Sequence, residues 1–155
     1  MKFELKNLKI VRALSEETTC FTATLWADGR RVAKVGNRGT GGCNDWRWLD
    51  QDAQQSFMAQ ARAAYPKETF EQEDSLIGRM MSRIDNIARF KRHTKTTLLF
   101  RLKGDEHGLW RSVNHGTLDG QREYLRKAHG DKVEMIANDD IEAAVDFDLD
   151  PPKTE

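Results

Sequence analysis

Cysteine, proline and long apolar runs are all scarce in this sequence. Its two cysteines, Cys20 and Cys43, are too few for a disulfide framework, so reduced thiols are expected. No stretch approaches the roughly 20 apolar residues of a membrane span. Lys2, Glu4 and Lys6 interrupt what would be the apolar part of a signal peptide, which points to a cytoplasmic protein. Complete catalytic patterns are missing too. The glycines follow neither the P-loop nor the dinucleotide-binding spacing. Cys20, Cys43, His93, His107, His115 and His129 lack the short paired spacings of a zinc site. Asp105 and Glu106 beside His107 suit a divalent cation, but a solvated turn is the plainer explanation of them. No catalytic metal or cofactor is therefore expected.

What is present is a hairpin pattern. Thr18 to Ala27 is rich in β-branched and aromatic residues, Asp28-Gly29 suits a two-residue turn, and Val32 to Val35 returns. Simple alternation pairs Leu25 with Val32 and Ala23 with Lys34. It places Phe21, Ala23, Leu25 and Val32 on the core face. Cys20, Thr22, Thr24 and Trp26 then share the other face with Ala33 and Val35, so that face should need partial cover. Phe3 to Leu14 reads as a preceding strand whose parity changes at Asn7, where a bulge is expected. Together these make an antiparallel meander.

After it comes Gly36-Asn37-Arg38-Gly39-Thr40-Gly41-Gly42. With a helix starting near Asn44 or Asp45, Gly39, Gly41 and Gly42 would present backbone N–H groups to an anion. An irregular connection is the plainer explanation of so many glycines. Trp46 to Tyr65 is helical in tendency, with Ala53, Phe57, Ala61 and Ala64 on one side and Pro66 as the stop. Asp74 or Ser75 caps a second helix whose stripe is Leu76, Ile77, Met80, Met81, Ile84, Ile87 and Ala88. Lys95 to Lys103 is a strand, Leu109 to Asn114 a short return, and Leu118 to His129 a helix closed by Gly130. Period does not separate strand from helix over Lys132 to Ile136.

Net charge is zero, yet the charges are segregated. Residues 79–103 carry eight basic and one acidic residue, and residues 131–155 carry two basic and nine acidic. The fold expected is a single α+β domain over 1–138: an N-terminal β-meander packed on helices, with a second small β unit. Residues 139–155 are expected to be a mobile acidic tail. The tail either solvates the basic helix or competes for a polyanion site there.

The segments SEETTCFTATLWADGRRVAKVGNRGTGGC and TLLFRLKGDE resemble a group of small proteins without assigned activity, found in bacteriophages and other bacterial mobile elements. The likeness covers residues 1–45 and 97–106. It carries over no catalytic residue. It implies a setting, an accessory protein acting inside a bacterium, and from that setting a host or defence-system protein as partner.

Three readings follow. A non-enzymatic protein-binding role rests on the tryptophans and arginines, the usual anchors of interfaces. A nucleic-acid role rests on Arg89, Lys91 and Arg92, with Trp26, Trp46 or Trp48 stacking on bases. A cysteine hydrolase would use Cys43, its thiol activated at a helix N-terminus, with His115 as base. An inert loop cysteine is the plainer explanation.

Overall fold

The computed structural model describes residues 1–150, so Pro151 to Glu155 of the expected tail lie outside it. The chain is α+β. Its contacts divide it into two compact units, Met1–Met81 and Ser82–Glu155, where one domain and a tail were expected.

The N-terminal unit is built on a four-stranded antiparallel meander: β1 (Phe3–Ile10), β2 (Phe21–Ala27), β3 (Arg30–Asn37) and β4 (Asp45–Trp48). Asn7 takes φ of 54°, and the β1–β2 register shifts between Lys6 and Lys9, as the parity change foretold. The Asn7 side-chain amide donates to Thr24 Oγ1 at 3.0 Å and so fixes the irregularity.

The β2–β3 register departs from simple alternation. Trp26 pairs with Arg31 but Leu25 pairs with Ala33, which leaves Val32 as an extra residue. Both Val32 and Ala33 then point inward, and Val35 follows them. The expected grouping of Ala33 and Val35 with Thr22 and Thr24 is thus corrected. The outer face loses Ala33 and Val35 and keeps Trp26 as its one aromatic residue.

The segment after the glycine loop is a strand, not the start of a helix. Trp46 and Trp48 alternate with Asp45 and Arg47, which is the period of a half-buried strand. Helix α1 (Gln51–Ala64) begins only after Asp50, whose carboxylate accepts from the Ala53 N–H at 2.9 Å. Ala53, Phe57 and Ala61 are fully buried, while Ala64 is exposed. The Phe57 ring lies 5.0 Å from Phe3, 5.6 Å from Trp46 and 5.9 Å from Trp48. Burying these rings is the main cohesion between α1 and the sheet.

Helix α2 (Gln72–His93) starts earlier than expected, and Asp74 does not cap it. The Asp74 carboxylate instead accepts from the Asn44 N–H at 2.6 Å and the Trp46 indole N–H at 3.0 Å. Of the expected stripe, Ile77 and Met81 are buried, and the others are half-buried.

The C-terminal unit holds β5 (Leu98–Leu102) between β6 (Arg111–Val113) and β7 (Val133–Ile136), all antiparallel. Val133–Ile136, ambiguous by period, is therefore a strand. Helix α3 (Leu118–Ala128) contributes Leu125 to a cluster with Leu98, Phe100 and Val113. Helix α4 (Ile141–Leu149) contributes Ala144 and Val145 to a cluster with Phe90, Leu99 and Ala137. So β5 is buried on both faces, and the described part of the expected tail is a packed helix. Its apolar residues Ile141, Ala144, Val145 and Leu149 recur at helical spacing among the acids.

The acids of α4 also have partners. Arg83 donates to both carboxylate oxygens of Asp146, at 2.6 and 3.0 Å, and to Glu142 at 3.0 Å. These bonds raise the Arg83 pKa above its ordinary value, the Asp146 bond first. Arg101 of β5 is only 3% exposed. Its guanidinium donates to Glu134 at 2.7 Å and to the Asp105 carbonyl at 3.0 Å, and lies 4.4 Å from the Phe147 ring centroid. One cation thus joins β5, β7, the β5–β6 turn and α4. Arg101→Ala should lower unfolding free energy by about 3 kcal/mol, because it removes one member of a buried, bonded set. Arg101→Lys should recover little of this, since an ammonium cannot reproduce the fork. Urea denaturation measures both, and a loss under about 1 kcal/mol would contradict this role.

Candidate nucleic-acid interface

The glycine loop is held by its own neighbours. The Asn37 carboxamide oxygen accepts from Thr18 Oγ1 at 2.6 Å and from the Gly39 N–H at 2.8 Å, and its amide donates to the Gly42 carbonyl at 3.1 Å. The Gly41 N–H donates to Thr18 Oγ1 at 3.2 Å. The Gly39 carbonyl accepts the N–H groups of Glu16, Glu17 and Thr18. Two of the N–H groups expected for an anion are therefore already bonded, and no helix follows to add its dipole. Gly39, Gly41 and Gly42 are turn residues in a clasp between this loop and the segment after β1. Gly39 is required there: its φ is +88°, and a Cβ would collide with the Leu14 carbonyl oxygen.

The same strand removes the premise for a reactive Cys43. The thiol is exposed and precedes β4, so no helix N-terminus activates it. Cys43 belongs to the N-terminal unit and His115 to the C-terminal one, where the imidazole meets the Tyr124 ring at 6.2 Å.

Asp105 is not free to hold a cation. Its carboxylate accepts from the Leu102 N–H at 2.9 Å and from two nitrogens of Arg111 at 2.9 and 2.6 Å. The Arg111 bond, then the Leu102 bond, draw its pKa down to about 2. Among the described residues, no group of three or more His, Cys, Asp or Glu side chains is placed to hold a metal ion.

Trp46 and Trp48 stack on each other at 5.0 Å and cover Phe57, so they serve the unit's own packing. Arg89, Lys91 and Arg92 are exposed, as expected of a binding surface, but they lie in the C-terminal unit. The expected set is thus divided between two units. The segment's charge is also partly answered inside the fold, through Arg83 and Arg101.

A more concentrated basic surface lies where sequence reasoning expected a covered face. Paired residues of an antiparallel ladder share a face. Lys6 pairs with Thr24, Thr24 with Lys34, and Lys34 with Arg47, so one row crosses all four strands. The next row runs Lys9, Thr22, Gly36, Asp45. On the other side Glu4 pairs with Trp26 and Trp26 with Arg31. Lys6, Lys9, Arg31, Lys34, Arg38 and Arg47 are all exposed. Among the described residues, Lys9, Arg31, Lys34, Arg38 and Arg47 form no ion pair.

The face is shaped as well as charged. Gly36 lacks a side chain between these cations. A shallow depression of about 580 Å³ extends over the cations Lys9, Lys34, Arg38 and Arg47, the threonines Thr22 and Thr24, and one carboxylate, Asp45. At its margin Trp26 is half-buried, its indole N–H donating to Thr24 Oγ1 at 3.1 Å, with Lys6 Nζ 4.6 Å from the ring centroid. Alternation was the signal that could have revealed this face, but the bulge at Val32 hid its composition.

Comparison with known proteins finds no matching family model, no similar curated protein and no similar solved structure.

Gly39→Ala should cost about 2 kcal/mol or more, from a left-handed non-glycine residue and a backbone clash. Gly42→Ala, with open space around it, should cost only about 1 kcal/mol. Equal thermal shifts for the two would contradict the clasp. Asp105 binds fewer protons folded than unfolded. Its stabilisation is therefore complete above about pH 4 and is lost as pH falls towards about 2. In Asp105→Asn that part of the acid transition should vanish, and an unchanged pH profile would remove the Arg111 pairing as its cause.

Proposed function

We propose that this protein is a non-enzymatic binding protein whose N-terminal sheet holds single-stranded nucleic acid on its outer face. The observation that carries this reading is the row Lys6, Thr24, Lys34, Arg47. Lys34 and Arg47 are directly opposed across β3 and β4, where like charges are destabilising, and among the described residues neither forms an ion pair; Asp45, in the next row, is the one carboxylate lining the depression. An anion lying across the row turns that repulsion into attraction. Neighbouring strands are roughly 4.8 Å apart, so the row presents its cations at intervals that a phosphate backbone can follow. Trp26, at the margin of the row, offers a ring for a base. An open sheet face suits unstacked bases, as stacking platforms on basic grooves do.

The setting implied by the resemblance, an accessory protein of a phage or mobile element inside a bacterium, is compatible with this role. A host or defence-system protein presenting an acidic segment is the competing occupant. The aromatic support for that alternative is weaker than the sequence suggested, because Trp46 and Trp48 are engaged with Phe57.

Fluorescence anisotropy with a labelled single-stranded oligonucleotide tests the reading. Affinity should fall steeply with salt. Replacing Lys34, Arg38 and Arg47 by alanine should weaken binding and lower the slope of log K against log salt by about 2. Trp26→Ala should cost about 1–3 kcal/mol of binding free energy. A flat salt titration, together with a stoichiometric acidic protein retrieved by the parent chain and not by the triple variant, would assign the face to a protein instead.

A further inference from the structure

We propose that the C-terminal unit carries a separate pocket for a planar aromatic ring bearing an anionic group, the chemistry of a nucleotide. A cavity of about 360 Å³ is lined by Arg89, Phe90, His93, Leu99, Trp110 and Ser112. That volume is at the small end of the roughly 300–1,000 Å³ usual for small-molecule sites. Phe90 and Leu99 are buried and form its apolar floor. The Trp110 ring meets Phe90 edge-on, 5.4 Å away and at 88°. The indole N–H of Trp110 donates to both carboxylate oxygens of Asp148, at 3.1 and 2.9 Å. The ring is therefore held in place, and what it offers a ligand is its surface.

The polar groups at the rim are of one kind. Arg89 and His93 are one helical turn apart and exposed, and Ser112 adds an exposed hydroxyl. No carboxylate lines the cavity. Arg89 has no ion pair among the described residues; its guanidinium carbon lies 5.8 Å from the Phe90 ring centroid. The end of a helix dipole opposes an anion here. Against it stand Lys91, Arg92 and His93 in the same turn, and the Phe90 and His93 carbonyls already accept from Thr94 and Thr97.

An apolar slot with an aromatic wall selects a flat ring, and an unpaired guanidinium at its mouth selects an anion that can accept two hydrogen bonds. A nucleoside monophosphate meets both demands: base against Trp110 and Phe90, phosphate on Arg89 and His93. Free mononucleotide and the phosphorylated end of a strand share this chemistry. None of these residues belongs to the sheet face, so the two sites stand or fall separately.

The test follows the assigned Trp110 indole resonance in two-dimensional NMR of the full chain. Adenosine 5′-monophosphate should shift it saturably, with Kd below about 1 mM. The double variant Arg89→Ala/His93→Ala should weaken that binding about tenfold or more, and adenosine without phosphate should bind comparably weakly. Lys34→Ala/Arg47→Ala should leave it unchanged. Tighter binding of a 5′-phosphorylated tetra-adenylate would identify a strand end as the source, and equal binding a free nucleotide; both support the pocket. No Trp110 shift at about 10 mM nucleotide overturns it. So does equal affinity for adenosine, or an unaffected double variant.

Discussion

The extra residue at Val32 governs how the N-terminal unit divides its two faces. A strand that alternates strictly would send Val32 inward and Ala33 outward. With Val32 unpaired, both enter the core opposite Leu25, and the alternation resumes one step displaced. Val35 then faces inward opposite Ala23 and Trp46, while Lys34 and Gly36 face out opposite Arg47 and Asp45. The aromatic layer against Phe57 and the cationic row on the other side are two consequences of one bulge. Moving the register by a residue would place Lys34 in the core, which its desolvation cost forbids.

In the C-terminal unit the organising group is a buried cation. Arg101 lies on the strand that both faces cover, so its charge is answered at Glu134, its remaining donors by turn carbonyls, and its flat surface by Phe147. Arg83 plays the corresponding role on α2, tying it to the acids of α4. The opposite charge blocks of the chain meet inside this unit, and both are partly consumed there. What remains exposed near the end of α2 is a smaller cationic group beside an aromatic slot.

The two candidate surfaces differ in the kind of ligand they suit. The sheet face is broad and shallow, with dispersed charge and one marginal aromatic ring. That suits a long polyanion whose affinity comes from counterion release. The pocket at Trp110 is smaller, with Phe90, Leu99 and Trp110 on one part of its lining and Arg89, His93 and Ser112 on the other, which suits a single ring bearing an anion. Neither needs a bond to be made or broken.

Much of the fold was legible in the residues. Asp28-Gly29, Asn7, Pro66 and Gly130 each act through their own backbone preferences, so the hairpin, the β1 irregularity and the C-terminal limits of α1 and α3 could be read directly. The 3.6 period marked α1 and α2 because one face of each is apolar whatever packs on it. The candidate site was less legible. Trp46 and Trp48 looked like helix or interface residues, because four residues are too few for period 2 to stand out from the helix that follows. The acids of 139–150 looked like a tail, since charge outweighs Ala144 and Val145 in composition, and only contact with Phe90 and Leu99 makes those two a core. Local chain chemistry determined which segments turn, extend and coil. Which face of β3 is buried, and which cations remain unanswered, depended on pairing between residues distant in sequence, and only the tertiary structure decides that.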